Sequence, residues 1–394
     1  MVVPYSRTLF FVEDGKSHGL TADLAHDFET YLNQKHADAL GGRPITVTVV
    51  PTTRDKLLGE LVDGRADIAG GNLTATALRM QTADFVAPVQ RDPAVEMLVS
   101  GPGAPGLTTL NDLSGKTVNV RQASSYFESL NSLNEKLGAA NKPSVKIVPM
   151  PDALEDEDML ELLNAGLFEF TVVDSWKAKL WAQALPHIKV HDAIVLRTGG
   201  TIGWAMRKQS PKLHAELEGF YKTASQQGLI EARLATYQTN LKAVADARTG
   251  PAAKKFEQTL ALFRKYGKQY PFDPLMMVAD GYDPALGDGQ VAQDVQAATK
   301  HIDEVMAKNF ADAKFSELDR TLFIFASHKS GAENLARMRT EAAKRGLDPN
   351  QWFNNVELLT TENYGMESTA YVRNILKCRV AYQLLAGAGA VAAK

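Results

Sequence analysis

Residues 64–88 read GRADIAGGNLTATALRMQTADFVAP, from Gly64 to Pro88. An apolar strand over Ala66–Ala69 is expected to end at Gly70 and Gly71. A turn follows, then Thr74, Thr76 and Arg79 at close spacing, then a second apolar run ending at Pro88. Glycines after a strand let backbone N–H groups approach a ligand. Thr74 offers a hydroxyl, and Arg79 a planar fork that fits a carboxylate. The stretch reads as a small-anion clamp at a strand end. The competing reading is a plain strand–loop–helix connection with Arg79 on a solvated face.

Upstream, Val2–Tyr5 is a short strand leading into Ser6-Arg7-Thr8. Leu20, Leu24, Phe28 and Leu32 fall on one face of a helix. Ile45–Val50 alternates and is β-branched, as a strand does. Thr53–Leu61 reads as a helix with Leu57, Leu58 and Leu61 inward, stopped by Gly64.

Downstream, SGPGAPG after Val99 punctuates the chain. LSGKTVNV, Leu113–Val120, reads as turn then strand and runs into Arg121-Gln122-Ala123-Ser124-Ser125-Tyr126. Ser124 or Ser125 suits the N-cap of the next helix, whose free N–H groups favour an anion. Ser124 as a nucleophile lacks a partner histidine or a nucleophile elbow. Val145–Val148 is a strand, Met159–Leu163 a helix closed by Gly166, and Phe168–Val173 a strand ending at Asp174. LLGELVDGRADIAGG and MLELLNAGLFEFTVVD therefore repeat one pattern. Two similar α/β halves suggest two lobes facing each other across a ligand cleft. The acidic cluster Asp152–Asp158 reads as a solvated face and helix start. GWAMRK, Gly203–Lys208, is a late strand. The helix after Pro211, carrying Leu213, Leu217 and Tyr221, closes the module near Tyr237.

Residues 1–240 thus form an α/β two-lobed module, with one lobe of 1–100 and 200–240 and the other of 101–199. A polar linker covers 241–252, and an all-α domain 253–390. In the latter, helices are marked by Val295, Ala298, Ile302 and Val305, by Leu318, Leu322 and Phe325, by Leu335–Ala343 ahead of Gly346, and by Glu367–Leu385. Pro349 after Asp348 sits where a further helix would start.

With 394 residues, 45% of them hydrophobic, the chain can bury a sizeable core, and a net charge of −3 gives no footprint for nucleic acid. Cys378 is the one cysteine, which excludes an intrachain disulfide; its spacing with Val372, Ile375 and Tyr382 places it in a core. The eight histidines are scattered, so no metal site and no cofactor is expected. No run is long enough to span a membrane. Met1 is followed at once by VVPY, so the chain reads either as cytoplasmic or as a mature form whose export signal has been removed.

GNLTATALR with ADFVAP, GKTVNVRQASSY, TVVDSW and GWAMRK together resemble the type II periplasmic solute-binding proteins of the polar amino-acid class, over Val2–Tyr237. The resemblance implies that Arg79 pairs with a ligand carboxylate and that Asn72 and Thr74 add backbone and hydroxyl contacts. It also implies that Arg121 meets the ligand from the second lobe, that Ser125 lends its N–H, and that Asp174 receives an ammonium. Tyr5 stands where first-lobe residues touch ligand, with a packed aromatic as the alternative. Such a set complements a zwitterion, an amino acid or small peptide. Asn72 departs from the usual glycine.

Residues 256–385 resemble the lysozyme-like catalytic domain of the membrane-bound lytic transglycosylase F family. The matching stretches are YPFDPLMMVADGY, LFIFASHKSGAENLARMR, RGLDPNQWFNNVE and Glu367–Val372. After Tyr282, however, the chain reads DPALGDGQ where the family carries its catalytic glutamate. Asp283 is the nearest carboxyl, but Pro284 pushes it out of helical geometry. His328-Lys329-Ser330-Gly331 replaces the family's Tyr-Asn-Ala-Gly, and His328 reads as a solvated loop residue. The expectation is a periplasmic or outer-membrane-associated solute-binding or sensor-type protein whose transglycosylase-like domain has lost its acid. Peptidoglycan is a further candidate partner, and membrane association would need a segment this sequence lacks. The alternative is an active lytic transglycosylase using a replacement acid such as Asp283.

Overall fold

The computed structural model describes residues 1–13, 16–88, 94–237 and 300–385. It divides into two compact units, Met1–Thr249 and Gly250–Gly389.

In the first unit, the strand Val2–Pro4 lies parallel to Val50–Thr52 on one side and to Ile68–Thr74 on the other. The late strand Ile202–Met206 returns antiparallel to Ile68–Thr74, and Asp84–Val86 completes a five-stranded sheet. The helices Leu20–Lys35 and Pro211–Gln226 cover one face. Leu20, Leu24, Phe28 and Leu32 pack there with Trp204, Leu217, Phe220 and Tyr221. Leu57, Leu61, Ala69, Leu73 and Ala205 form a second cluster of the same lobe. Burying each large side chain contributes about 1.5–3 kcal/mol, so these stripes hold the lobe together.

The second lobe is built on Ala94–Ser100, which pairs antiparallel with Phe170–Asp174 and Lys189–Gly200. Thr117–Arg121 runs parallel to Lys146–Met150. The helices Ser125–Ala139, Asp156–Asn164 and Ser175–Trp181 supply Leu130, Leu133, Leu160, Leu163 and Trp181 to one core with Val118, Val120 and Val172.

Three local expectations need correction. The strand does not stop at the two glycines: it runs Ile68–Thr74 straight through them. A Cβ at Gly70 would lie 1.9 Å from Met1 Cε and 2.9 Å from Thr21 Cγ2, and one at Gly71 would lie 3.0 Å from Leu57 Cδ1. The glycines lie inside the strand and make room for these side chains; the left-handed residue is Asn72, at φ 48°. Of Ile45–Val50, only Val50 enters a strand, Val50–Thr52. The backbone before it is held by helix side chains instead. Asn33 bonds both the N–H and the carbonyl of Ile45, and Glu29 accepts from Val47 N–H. The helix expected from Thr53 begins later, as Leu57–Val62.

The second unit is helical in all its described residues apart from turns: 300–309, Glu317–Ser330, Ala332–Lys344, Glu357–Tyr364 and Met366–Leu385. Leu322, Phe323, Phe325, Leu335, Trp352, Val356, Leu359, Val372, Ile375 and Cys378 are buried. No helix starts at Pro349. Asp348 accepts from Asn350 N–H, and the Asn350 carboxamide accepts from Lys314 N–H and Arg339, which ties 348–350 into a turn. His328 and Lys329 are exposed, but they lie in the last turn of the helix Glu317–Ser330, not in a loop; the chain breaks at Gly331, φ 83°. Val295, Ala298 and Asp283 lie outside the described residues.

Candidate ligand-binding site

Thr74 ends its strand, and Thr76 then caps the short helix Ala77–Thr82 by accepting the Arg79 N–H at 3.2 Å. This turns Arg79 back toward the strand end. Its Nη1 donates to the Thr74 carbonyl at 3.1 Å, its Nη2 to the Ala123 carbonyl at 2.7 Å, and its Nε lies 3.6 Å from Glu128. Ser124 is the N-cap of Ser125–Ala139, and Ser125 Oγ reaches Thr74 Oγ1 at 3.4 Å. Thr74, Arg79 and Ser125, chosen from sequence, therefore meet at one seam between the lobes. Burial lowers the Arg79 guanidinium below its ordinary value, with Glu128 pulling the other way.

Asp174 closes the strand Phe170–Asp174 and is buried. Its Oδ1 has no hydrogen-bond partner. Its backbone N–H donates to Tyr126 Oη at 3.2 Å. Burial pushes the Asp174 carboxyl up to about 6, against the pull of Lys177 and with Asp156 and Glu96 adding to the rise. Tyr126 and Glu96 also act electrostatically on Arg79, so Arg79 and Asp174 share one neighbourhood. Tyr5 is half-buried just ahead of Ser6, and Asn72 is half-buried two residues before Thr74.

Arg121 is placed differently from the expectation of a residue open to ligand. It is buried, bonding Asp156 and lying 3.5 Å from Glu155. The acidic cluster is not a solvated face either. It does start a helix, Asp156–Asn164, but Glu155, Asp156 and Glu157 are buried. Arg54 Nε donates to both Glu155 oxygens at 2.9 and 3.0 Å, and its Nη2 donates at 2.8 Å. Lys177 bonds Asp156, and Tyr126 Oη donates to it at 3.2 Å. Burial opposes ionisation of Asp156, yet Arg121, Lys177 and Arg54 hold its carboxyl well below the usual carboxylate range. Ser6 Oγ donates to Glu157 at 2.8 Å, and Arg7 pairs with Glu161 and Asp158 at 3.0 and 3.1 Å.

The two lobes are thus tied together by first-lobe cations and hydroxyls on second-lobe carboxylates. Arg54, Glu155, Asp156, Glu157 and Lys177 were not foreseen. Each has its partner far away in the chain, so no local spacing marks it. Among the described residues no group of three His, Cys, Asp or Glu side chains is placed to hold a metal ion.

Residues 3–240 match the model of the bacterial extracellular solute-binding proteins, family 3. The chain belongs to that family. Its α/β two-lobed module has the type II periplasmic-binding-protein architecture, and an all-α unit follows it. Among solved structures, the family 3 module is similar to an ancestral arginine-binding protein bound to arginine. The two are 21% identical, with 60% of this chain and 96% of that chain covered and a TM-score of 0.49. Curated relatives match over more of the chain. A membrane-bound lytic murein transglycosylase F of Pseudomonas fluorescens is 24% identical over 366 aligned positions, covering 84% of this chain and 72% of that protein. One of Desulfosudis oleivorans is 24% identical over 410 positions, covering 92% and 87%. Both matches extend beyond the family 3 module. Among the described residues no helix is long and apolar enough to cross a membrane.

Proposed function

We propose that the first unit is a receptor for a small zwitterion, an amino acid or short peptide, held between Arg79 and Asp174 in the interlobe cleft. The observation that carries this reading is the buried Asp174 oxygen without a partner. A buried carboxylate oxygen without a partner is costly, and a ligand ammonium offsets that cost. Opposite charge is supplied by the Arg79 fork, which a carboxylate engages by replacing the Ala123 carbonyl. Thr74 and the first N–H groups of Ser125–Ala139 stand beside it. Contacts from both lobes favour the closed state, and only differential affinity for that state drives closure. Calorimetric titration of the full chain with amino acids and short peptides tests this. At least one should bind in the micromolar range, and Arg79→Ala should weaken it at least tenfold. An affinity unmoved by Arg79→Ala contradicts the site.

The aligned transglycosylase relatives support a second element of the reading. These relatives support reading the helical unit as a transglycosylase-like domain, periplasmic with its partner module. We further propose that DPALGDGQ after Tyr282 stands in place of the catalytic glutamate segment. Residual recognition of peptidoglycan fits this descent. Digestion of purified peptidoglycan should release no anhydro-muropeptides. Turnover that Asp283→Asn abolishes would instead establish the active enzyme with a replacement acid.

A further inference from the structure

We propose that Arg54 and Arg121 form a second carboxylate subsite beside the Arg79–Asp174 pair, filled here by the chain's own Glu155, and that the ligand is an amino acid or short peptide whose side-chain carboxylate displaces Glu155. This rests on the zwitterion reading above and names the ligand class for the same cleft.

The subsite is built. Arg54 presents Nε and Nη2 to Glu155 as a fork at 2.8–3.0 Å, while its Nη1 is anchored on the Gly71 carbonyl at 2.9 Å. Arg121 Nη1 approaches the same carboxylate at 3.5 Å. The side chains of Arg54, Arg121 and Glu155 are 7%, 2% and 4% exposed, so the charges are withdrawn from water. Bidentate guanidinium geometry of this kind recognises a carboxylate, whichever molecule carries it.

The subsite also adjoins the zwitterion pair. The Gly71 carbonyl that anchors Arg54 lies on the same strand as Thr74, whose carbonyl holds Arg79. Arg121 precedes the turn that carries Ala123 and Ser125. From Arg54 the charges alternate through Glu155, Arg121, Asp156 and Lys177 to the vicinity of Asp174.

Glu155 precedes the helix Asp156–Asn164 in extended conformation and forms a capping box: its side chain accepts the Asp158 N–H, and its own N–H is held by the Asp158 side chain at 3.0 Å. When the Glu155 side chain swings out, the helix start loses the first bond and keeps the second. Once that side chain leaves, the Arg54 fork needs another anion, while Arg121 stays on Asp156 and adds its charge. A neutral or cationic ligand side chain leaves the Arg54 fork without a carboxylate, and that sets the preference.

Titration calorimetry of the full chain with L-glutamate, L-glutamine, L-leucine and L-arginine tests the inference. Wild type should prefer L-glutamate to L-glutamine at least tenfold. Glu155→Gln, which removes the competing carboxylate, should bind L-glutamate at least tenfold tighter than wild type does. Arg54→Gln should abolish the preference for the acid over its amide. Thermal shift of wild type by L-glutamate against L-glutamine needs no variant and should show the larger rise with the acid. Binding of L-leucine, L-glutamine or L-arginine that needs Arg79 and Asp174, with no preference for L-glutamate, overturns this inference and leaves the zwitterion reading standing. Binding that needs neither Arg79 nor Asp174, or no binding of any amino acid or short peptide, overturns both.

Discussion

Arg54 and Glu155, 101 residues apart in sequence, join the two lobes through three N–H···O contacts of 2.8–3.0 Å, with both side chains buried. Breaking a buried pair strands a charge, whereas replacing both partners with apolar groups removes the problem. Arg54→Ala should therefore cost about 3–5 kcal/mol of stability. Arg54→Met with Glu155→Leu should recover most of it. Urea denaturation of the two single variants and the double variant measures the coupling. Additive losses would show that the pair contributes no interaction of its own.

The stability of the unliganded protein carries a signature from Asp174. Its carboxyl stands at about 6 in the fold against 3.8 ordinarily. The folded state therefore holds this proton more tightly than the unfolded chain. Between pH 4 and 6 the group's contribution falls as pH rises, by roughly 3 kcal/mol in all. Asp174→Asn should flatten this descent, raise stability at pH 7 and abolish binding of an ammonium-bearing ligand. Thermal melts from pH 4 to 7 on both proteins read it out.

Ser124 holds the start of the helix Ser125–Ala139 by accepting the Phe127 N–H at 3.2 Å. Ser124→Ala should cost about 1 kcal/mol, and Ser124→Asp much less. Chemical denaturation distinguishes them.

Gly203 lies where the late strand passes the Asp84–Val86 strand and its end. A Cβ there would stand 2.2 Å from the Val86 carbonyl oxygen and 2.9 Å from Ala87 Cα. Backbone cannot rotate away as a side chain does, so Gly203→Ala should lose about 2 kcal/mol or more. A melting temperature unchanged from wild type would contradict this packing.

What the sequence made legible was local. Leu20, Leu24, Phe28 and Leu32 face one core because helical period alone selects them. Thr74, Arg79 and Ser125 converge because each sits at an element end marked by its own turn or cap. The burial of the acidic residues 155–157 is illegible for the opposite reason. A charge run looks solvated unless its counter-charges are known, and Arg54, Arg121 and Ser6 lie 34 to 151 residues away. The role of Gly70 and Gly71 is hidden for the same reason, since the atoms they make room for belong to Met1, Thr21 and Leu57. Arg121 and Asp174 both read as ligand contacts from sequence. Asp156, which no local spacing marks, bonds the first and adds to the rise that burial chiefly gives the second.

The most direct measurement is a crystal structure of the full chain grown with a saturating amino-acid ligand found by calorimetry. Ligand carboxylate on Arg79 and ligand ammonium within hydrogen-bond distance of Asp174 Oδ1 is the predicted result. A ligand seated elsewhere, with Asp174 Oδ1 still unpartnered and Arg79 still on the Ala123 carbonyl, would contradict it.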